Sequence, residues 1–394
     1  MTALLCWLIA IPPVVALTIF SLETFLGIAP LKATSCSGRM PTTRILIPAH
    51  NEAATIEATL DRLALVVSDG VRLLVVADNC SDATATLVRQ AGHEVIERTD
   101  AEKRGKGYAL AFGRDHLCAS PPECVIVFDA DCESDAASIA ALAKRCVTDQ
   151  AVVQSRYILI PNRTVAPKVQ ISNFAFWIKN VVRQRGASRL RGAAVLTGTG
   201  MAFPWRIFDA APLATANIVE DLALGIYLTQ IGEAPVYLEQ STVASAAASE
   251  TATLAQRARW EHGFLATAKS HGLFAIWNGV RSRNRKLVQL GLHLLVPPLA
   301  LLLFASFVIL VLLGASTLMT SYWPAFLALA MSVGVAIALV FVNWLIEGRY
   351  WLSPAALVRL PLYLLWKIPV YLRFAKGDTP GWTRTARPND AEEQ

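Results

Sequence analysis

The chain has 394 residues, of which 54% are hydrophobic and 17% are charged, and its formal net charge is +6 at pH 7. Its positive mean hydropathy excludes an ordinary soluble protein and indicates membrane-spanning helices. Seven cysteines without a Cys-x-x-Cys pair give neither a disulfide framework nor zinc-ligand spacing. The sequence contains no Lys/Arg-rich recognition helix for nucleic acid, so anionic lipid and phosphate better explain the positive charge.

The first predicted element is an apolar segment from Ala3 to Ile28, in which Glu23 is the only charged residue. Its length meets the roughly 20 residues that a helix needs to cross a bilayer core. We expect a kink at Pro12-Pro13. Because no Lys or Arg precedes the segment and no convincing cleavage site follows it, residues 1–30 are interpreted as an uncleaved transmembrane anchor rather than a signal peptide.

Residues 39–285 are predicted to form one α/β domain. Strand-like runs at Arg44–Pro48, Val71–Ala77, Glu94–Glu97 and Cys124–Phe128 alternate with helical stretches at Ala53–Val67, Asp82–Ala91 and Gly107–Leu117. This alternation predicts a mainly parallel sheet, whose ligands bind at the carboxyl ends of the strands.

Acidic residues follow two of these strands. Asp78 comes directly after the second strand, and Asp129 and Asp131 come after the fourth. Two carboxylates spaced two residues apart in an extended turn can hold a divalent cation. A solvated acidic turn is the ordinary alternative, because Asp-x-Asp is frequent by chance.

Four further motifs in the chain contain polar or small residues that could contact a ligand. They are Arg104-Gly105-Lys106-Gly107, Leu196-Thr197-Gly198-Thr199-Gly200-Met201, Glu220-Asp221-Leu222 and Gln256-Arg257-Ala258-Arg259-Trp260. Taken singly, each has an ordinary explanation: a solvated basic loop, a strand bulge, a helix N-terminus enriched in acids, and a surface helix.

Two apolar stretches, Leu287–Ala315 and Trp323–Ile346, predict two transmembrane helices within residues 286–346. The uncharged link between them is predicted to be non-cytoplasmic. Positive charges collect elsewhere, at Lys32, Arg39, Arg44, Arg281–Lys286 and Arg373–Arg387. This bias places the large middle domain and the tail, residues 375–394, in the cytoplasm, and the N-terminus outside.

The segment at residues 353–374 is apolar and aromatic but is interrupted by Arg359 and Lys367. Pro361 and Pro369 would also break a regular span. We interpret it as a helix that lies in the headgroup region of the bilayer.

Taken in order, the motifs resemble the catalytic domain of family-2 glycosyltransferases over about Arg44 to Trp260. The fold implied is α/β, the GT-A (Rossmann-like) nucleotide-sugar-binding domain, here joined to transmembrane helices. The membrane-embedded branch with cellulose, chitin, hyaluronan and poly-N-acetylglucosamine synthases matches best. The resemblance implies an inverting transfer from a nucleotide sugar, most often UDP-linked, with Mg2+ or Mn2+ as cofactor.

The resemblance also implies roles on the donor side. Nucleoside contacts fall to Pro48 and Glu52, base recognition to Asp78, phosphate contacts to Lys106 and Arg259, and the metal to Asp129 and Asp131, of which Asp131 is the more direct ligand. Ala77 stands where the family often has a first acid, which leaves uracil recognition less specified. Asp82 is alternatively a cap of the helix that follows it.

On the acceptor side, the resemblance implies that Asp221 is the general base that takes the proton of the attacking hydroxyl. The acceptor is expected to contact Thr199, Gly200, Glu220, Gln256 and Trp260. The small-residue loop lacks the cysteine of cellulose synthases, so a different acceptor is expected.

The sequence therefore predicts a hexosyltransferase of the cell (inner) membrane that extends a polysaccharide or a lipid-linked acceptor at the cytoplasmic face. An export partner is a further expectation. Three predicted spans leave open a non-processive enzyme that adds one sugar to a glycolipid. A catalytically inactive scaffold is a second alternative, against which the intact Asp129, Asp131, Asp221 and Arg259 argue.

Overall fold

A computed structural model describes residues 2–34, 38–68, 70–217, 219–246 and 250–376. The predicted cytoplasmic tail, residues 375–394, lies outside the described residues from position 377 onward. Within these ranges the chain forms an α/β domain and three long apolar helices.

The strands follow the β-branched and leucine-rich runs of the sequence. They are β1 (Thr43–Ala49), β2 (Val71–Asp78), β3 (Glu94–Arg98), β4 (Cys124–Val127), β5 (Cys132–Glu133), β6 (Val153–Leu159), β7 (Met201–Pro204) and β8 (Val236–Ser245). The four predicted strands correspond to β1 to β4, with ends that differ by one residue or less.

The first helices along the chain are α1 (Thr2–Leu26), α2 (Ala53–Ala64), α3 (Thr84–Gln90), α4 (Lys106–Leu117), α5 (Ala136–Asp149), α6 (Pro167–Trp177) and α7 (Arg183–Arg189). A π-helix at Ile178–Val182 joins α6 to α7. The remaining helices are α8 (Trp205–Ala210), α9 (Glu220–Gln230), α10 (Glu250–Arg281), α11 (Arg285–Leu294), α12 (Leu299–Thr320), α13 (Pro324–Ile346), α14 (Pro354–Leu357) and α15 (Leu360–Ala375).

The described strands form one sheet with the order β3-β2-β1-β4-β7-β6-β8-β5. The half from β3 to β4 is parallel throughout, as predicted. The prediction of a mainly parallel sheet is wrong for the other half, where β7 runs antiparallel to both β4 and β6. Strands β5 to β8 were missed because they are short or mix polar with apolar residues.

The central strands are buried on both faces, which explains their continuous apolar runs. Ile45 and Ile47 of β1 point into one core layer, together with residues of α2 and α5. Leu46, which lies between them, points into the opposite layer, where α4 and α8 pack. Because successive side chains of a strand point to opposite faces of the sheet, the single apolar run of β1 contributes to both core layers.

Three described helices, at Ala3–Leu26, Leu299–Thr320 and Pro324–Ile346, are long and apolar enough to cross a membrane. Helix α1 continues through Pro12 and Pro13. Near its N-terminal end, the Trp7 indole donates a hydrogen bond of 2.9 Å to the Tyr322 hydroxyl in the link between α12 and α13. The N-terminal end of α1 and this link therefore lie at the same end of the helical bundle, as expected.

The predicted span at Leu287–Ala315 is corrected at its start. The helix is interrupted at Pro297 and Pro298, and the apolar helix α12 begins only at Leu299. The residues before the break form the separate amphipathic helix α11, which packs along α10 and contributes Leu290 and Leu294 to a small core. Helix α11 therefore belongs with the catalytic domain.

The segment interpreted as an interfacial helix is divided into α14 and α15 and is not among the candidate spans. Lys367, which the sequence places against the headgroups, is instead fully buried. Its ammonium donates a hydrogen bond of 2.8 Å to the Glu261 carboxylate of α10. Helix α15 thus contributes a buried ion pair to the fold.

Helix α7 connects the domain to the anchor through a buried ion pair. The Arg183 guanidinium donates to the Glu23 carboxylate at 2.7 Å, and the imidazole of His293 in α11 lies 2.9 Å from the same carboxylate. All three side chains are buried. A Cβ added at Gly186 would lie 2.0 Å from the Glu23 carbonyl oxygen, so the two helices touch backbone to backbone here.

Arg185 makes the corresponding contacts on another side of α7. Its guanidinium donates to Glu239 of β8 at 2.7 Å and to both carboxylate oxygens of Glu347, at 2.9 and 3.0 Å. Glu347 directly follows α13. Two arginines of one helix therefore connect the sheet to the first and the last apolar spans.

Replacing Glu23 by Gln should destabilise the protein strongly, because it leaves the buried Arg183 guanidinium without its counter-charge. Breaking one partner of a buried ion pair typically costs about 3–5 kcal/mol. Thermal unfolding in detergent should show a clear decrease of the Tm. The matched control is Arg206→Gln, which removes an exposed ion pair with Glu233 and should cost less than about 1 kcal/mol. Equal effects of the two substitutions would contradict this role of Glu23.

Candidate active site

The site lies where three parallel strands end. In the sheet register, Ala49 of β1 is paired with Ala77 of β2, and Leu46 of β1 is paired with Val127 of β4. Asp78 and Asp129, which follow these pairs, therefore lie at one edge of the sheet. This is the edge at which α/β proteins bind their ligands.

Lys106 connects this edge to the small-residue loop. Its ammonium is ion-paired with the Asp129 carboxylate and donates a hydrogen bond of 2.6 Å to the Gly198 carbonyl oxygen. Burial alone would lower the pKa of Lys106. The surrounding carboxylates of Asp129, Glu220 and Asp221 outweigh this effect and raise the pKa, so the side chain stays charged.

The turn of Lys106 depends on its two glycines. Gly105 has φ +126° and precedes the first residue of α4. A Cβ at Gly107 would lie 2.4 Å from the Leu213 carbonyl oxygen, so the segment before α9 packs directly on this turn. The small glycines of this motif, which were predicted to let a ligand approach the backbone, also let the loop at Leu213 pack against it, and this loop forms one side of the site.

Asp129, Asp131 and Cys132 bring three potential metal-binding groups within 4.8 Å of one another. The two carboxylates are partly exposed, whereas Cys132 is fully buried. Burial and the nearby aspartates raise the pKa of the Cys132 thiol well above its usual value, so it stays protonated. The donor set is therefore two carboxylates, which suits oxygen-preferring cations such as Mg2+ and Mn2+.

The structure changes the interpretation of the loop from Leu196 to Met201. Thr199 is fully buried, and its hydroxyl accepts a hydrogen bond of 3.1 Å from the Asp129 backbone N–H. A Cβ at Gly200 would lie 1.9 Å from the Ser155 hydroxyl oxygen. Thr199 therefore supports the turn that carries Asp129 and Gly200 packs against β6, while the acceptor contacts predicted for them remain predictions.

Gly198 is the glycine that faces the site. Its φ is +84°, and a Cβ there would lie 3.4 Å from both the Lys106 ammonium and an Asp221 carboxylate oxygen. The Lys106–Asp129 ion pair and the predicted general base Asp221 therefore lie next to the same small residue.

Glu220 and Asp221 form the first turn of α9 and are partly buried. Burial and the neighbouring Asp221 carboxylate raise the pKa of Glu220 to about 8. Burial likewise raises the pKa of Asp221, while Lys106 and Lys179 act in the opposite direction. Mutual repulsion within this buried pair therefore disfavours the form in which both carboxyls are ionised.

Asp78 is buried at the end of β2, as expected, but it has a partner that the sequence did not reveal. The Arg98 guanidinium, at the paired position of β3, donates to its carboxylate at 2.6 Å. Arg98 also lies 5.6 Å from the Tyr108 ring centroid. Its position at the end of a strand beside β2 is the signal that could have identified it.

Pro48 lies near the end of β1, and Glu52 is the N-cap residue of α2. The Glu52 carboxylate accepts a hydrogen bond of 2.8 Å from the Thr55 hydroxyl, within its own helix. Asp82 bonds the first N–H of α2, at Ala53, and the first N–H of α3, at Thr84, each at 3.0 Å. The capping alternative for Asp82 is therefore correct, and it applies to two helices.

Gln256, Arg259 and Trp260 lie on the long helix α10, as predicted. The neighbouring Arg257 contacts Trp260: its guanidinium lies 4.7 Å from the indole centroid and 4.9 Å from the Phe176 ring centroid. Further along α10, a Cβ at Gly263 would lie 2.7 Å from the Val219 side chain, directly before Glu220. Helix α10 therefore packs against the acidic pair.

Lys179 is a second residue that the sequence did not identify. It lies in the π-helix, an irregular helical turn that is frequent at functional sites. Its charge is close enough to Asp221 to lower the pKa of that carboxylate. Its ammonium lies 5.3 Å from the Phe264 ring centroid. A π-helix has no sequence signature, which explains why this cation was missed.

Comparison with known proteins gives a relative among curated sequences. The probable glycosyltransferase YdaM of Bacillus subtilis (strain 168) is 32% identical over 100 residues. The match covers 23% of this chain and 23% of that protein, so the chain spans less than a quarter of the length of the curated relative.

Solved structures resemble this fold. The mannosyltransferase PcManGT from Pyrobaculum calidifontis, in complex with GDP-Man and Mn2+, superposes with a TM-score of 0.53 at 19% identity over 87% of this chain and 99% of that chain. Glucosyl-3-phosphoglycerate synthase from Mycobacterium tuberculosis, in complex with Mn2+, UDP and glucosyl-3-phosphoglycerate, has a TM-score of 0.40 at 21% identity, covering 57% and 79% of the two chains.

The first of these superpositions confirms the predicted α/β fold of the GT-A (Rossmann-like) type. The sequence from residue 44 to residue 209 matches the profile described as Glycosyl transferase family 2. This range contains β1 to β7, the Lys106 turn and the Asp129–Asp131 turn. Residues 44–209 are therefore a glycosyl transferase family 2 domain.

Proposed function

We propose that the protein is an inverting glycosyltransferase that moves a sugar from a nucleotide sugar, UDP- or GDP-linked, to a lipid-linked or polysaccharide acceptor. The observation that carries this proposal is that the Lys106 ammonium, which is paired with Asp129, and the Asp221 carboxylate lie next to the same small residue, Gly198. An acidic turn that can hold a metal ion and a candidate base close to one another suit a reaction in which donor and acceptor meet at this loop.

Asp129 and Asp131 would hold Mg2+ or Mn2+, which would neutralise charge on the diphosphate leaving group. Lys106 remains cationic beside them and provides a further positive charge for the phosphates. PcManGT, whose fold is similar, was solved with Mn2+ and GDP-Man. The choice between UDP and GDP depends on contacts near Asp78, whose carboxylate is paired with Arg98.

Asp221 is the proposed general base. Its carboxylate lies next to Gly198 and accepts a hydrogen bond of 2.8 Å from the Leu222 backbone N–H. It would accept the proton of the acceptor hydroxyl as that oxygen attacks the anomeric carbon. Glu220, which is protonated near neutral pH, can donate a hydrogen bond to the acceptor.

We place this reaction at the cytoplasmic face of the cell membrane. Support comes from the basic residues between Arg281 and Lys286, at the end of α10 and the start of α11, and from the uncharged link between α12 and α13. With three candidate spans in the described chain, a lipid-linked acceptor is favoured over a polymer channel built by one chain. Export of a polymer would require a partner subunit.

The decisive assay uses membranes that contain the protein and a panel of labelled UDP- and GDP-sugars with Mn2+ or Mg2+. We expect transfer from one donor. Extraction of the product into organic solvent would identify a lipid acceptor, whereas a large water-soluble product would identify a polysaccharide. Folded protein that neither transfers nor hydrolyses any donor would support an inactive scaffold.

Replacement of Asp221 by Asn should reduce kcat by about 10²- to 10⁴-fold, the usual contribution of a general base, with little change in donor affinity. Steady-state kinetics and donor binding should be measured on the same preparation. Asp209→Asn, at the end of α8, is the matched control and should leave kcat unchanged. Wild-type turnover in the Asp221→Asn variant would exclude the proposed base.

Removing the metal with EDTA should abolish transfer, and Mn2+ or Mg2+ should restore it. Asp131→Asn should weaken metal activation by at least about 100-fold, because even outer-shell partners of metal ligands contribute about 10- to 100-fold. The half-activating Mn2+ concentration measures this effect. Asp115→Asn, an exposed aspartate of α4, should not change it. Full activity in EDTA would contradict a metal-dependent mechanism.

Glu220 should produce a step in the pH dependence of kcat/KM. As pH rises through about 8, Glu220 loses its proton, so it can no longer donate to the acceptor and adds a negative charge beside the donor diphosphate. We expect kcat/KM to decrease there, and expect Glu220→Gln to remove the decrease. Glu233→Gln, on the surface beyond α9, should retain it. A decrease that persists in Glu220→Gln would assign the titration to another group.

A further inference from the structure

A cavity lies between helices α6 and α10 of the α/β domain and the start of the second candidate span. Its apolar walls include Phe20 of α1 and the segment from Val296 to Ala300, at which α12 begins. Its inner walls include Phe176, Trp260 and Phe264. The cavity therefore extends from the catalytic domain to helices that are apolar enough to cross a membrane.

The cavity has an excess of positive charge. Its charged lining residues are Lys179, Arg183, Arg257 and Glu261. Arg183 is paired with Glu23, and Glu261 is paired with Lys367. These two pairs are balanced, so Arg257 and Lys179 supply the net charge of the cavity.

Arg257 has unused hydrogen-bonding capacity. Its side chain is only 6% exposed, and it donates through Nε to Ser172 at 3.0 Å and through Nη2 to Asn173 at 3.3 Å. Its Nη1 atom is buried and has no hydrogen-bond partner among the described residues. A buried guanidinium nitrogen without an acceptor is costly unless a ligand supplies one.

Lys179 lies on the neighbouring wall. Within the part of the chain that the structure describes, its ammonium contacts the Phe264 ring and makes no hydrogen bond or ion pair. Burial lowers the pKa of both Lys179 and Arg257, which indicates that each charge lacks a sufficient counter-charge. An anion in the cavity would supply one.

We propose that this cavity binds the phosphate group of a lipid acceptor, with Arg257 and Lys179 as the two cations that contact it. The apolar walls at Phe20, Val296 and Leu299 suit the alkyl chains, and the charge of Lys179 acts on Asp221. This inference rests on the proposed function, and it narrows the acceptor class to lipids that carry a phosphate group.

The test measures lipid binding to the full-length protein in an uncharged detergent by native mass spectrometry. The probes are dioctanoyl phosphatidic acid, dioctanoylglycerol and inorganic phosphate. Phosphatidic acid should bind at least about tenfold more tightly than dioctanoylglycerol, the equivalent of one charge-assisted hydrogen bond. Inorganic phosphate should compete only weakly.

Arg257→Gln and Lys179→Gln should each weaken phosphatidic acid binding by about tenfold, and Arg257→Lys should weaken it less because it keeps the charge. Lys269→Gln, an exposed lysine of the same helix α10, is the matched control and should have no effect. Arg257 is buried, so its replacement could prevent folding. Lys179 is partly exposed, so the Lys179→Gln variant tests the site without this difficulty.

Equal binding of phosphatidic acid and dioctanoylglycerol, or selectivity that survives both substitutions, would overturn the proposal. Competition by inorganic phosphate as strong as that by the lipid would assign the site to free anions and would also overturn it. Nucleotide-sugar binding and turnover are measured separately on the same protein. Absence of donor turnover in the wild type would overturn the proposed function, independently of the lipid result.

Discussion

The buried ion pair between Glu23 and Arg183 is the contact on which the arrangement of this protein depends. A carboxylate inside an apolar helix is unfavourable unless a cation and hydrogen bonds compensate it. Arg183 and His293 provide that compensation, and both belong to the catalytic domain. The position of α1 is therefore set by charge, while Gly186 brings the two backbones into contact. Arg185 adds the connection to β8 and α13 from the same helix.

The segments directly before and directly after α7 both lie at the candidate site. Before it, the π-helix carries Lys179 towards Asp221, and α6 contributes the partners of Arg257. After it comes the loop with Gly198, which contacts both the Lys106 ion pair and the base. The helix that is ion-paired with α1 is thus continuous in sequence with segments on two sides of the candidate site.

Sequence alone predicted the strands β1 to β4, the acidic turns and the three spans, because long apolar runs and polar residues at strand ends are local signals. It did not predict which residues of a motif point inward. The contact of Arg257 with Trp260 and Phe176 depends on how α10 packs and has no local signal in the sequence. The spacing of Thr199 and Gly200 indicates a ligand loop, but it does not reveal their contacts with the Asp129 backbone and the Ser155 side chain, which come from distant parts of the chain.

The α/β domain and the apolar helices share buried contacts and cannot be separated at one point of the chain. Helix α11, which ends before Pro297 and Pro298, packs on the domain, and the arginines of α7 are paired with carboxylates at α1 and α13. An excised fragment of residues 39–285 would lose α11 and the carboxylates of Glu23 and Glu347, and would expose Arg183, Arg185 and the apolar side chains around Val182. Such a fragment would contain nearly every proposed catalytic group without the surroundings that hold them. The apolar helices are therefore part of the folding unit of the enzyme, because their carboxylates neutralise charges buried in the α/β domain.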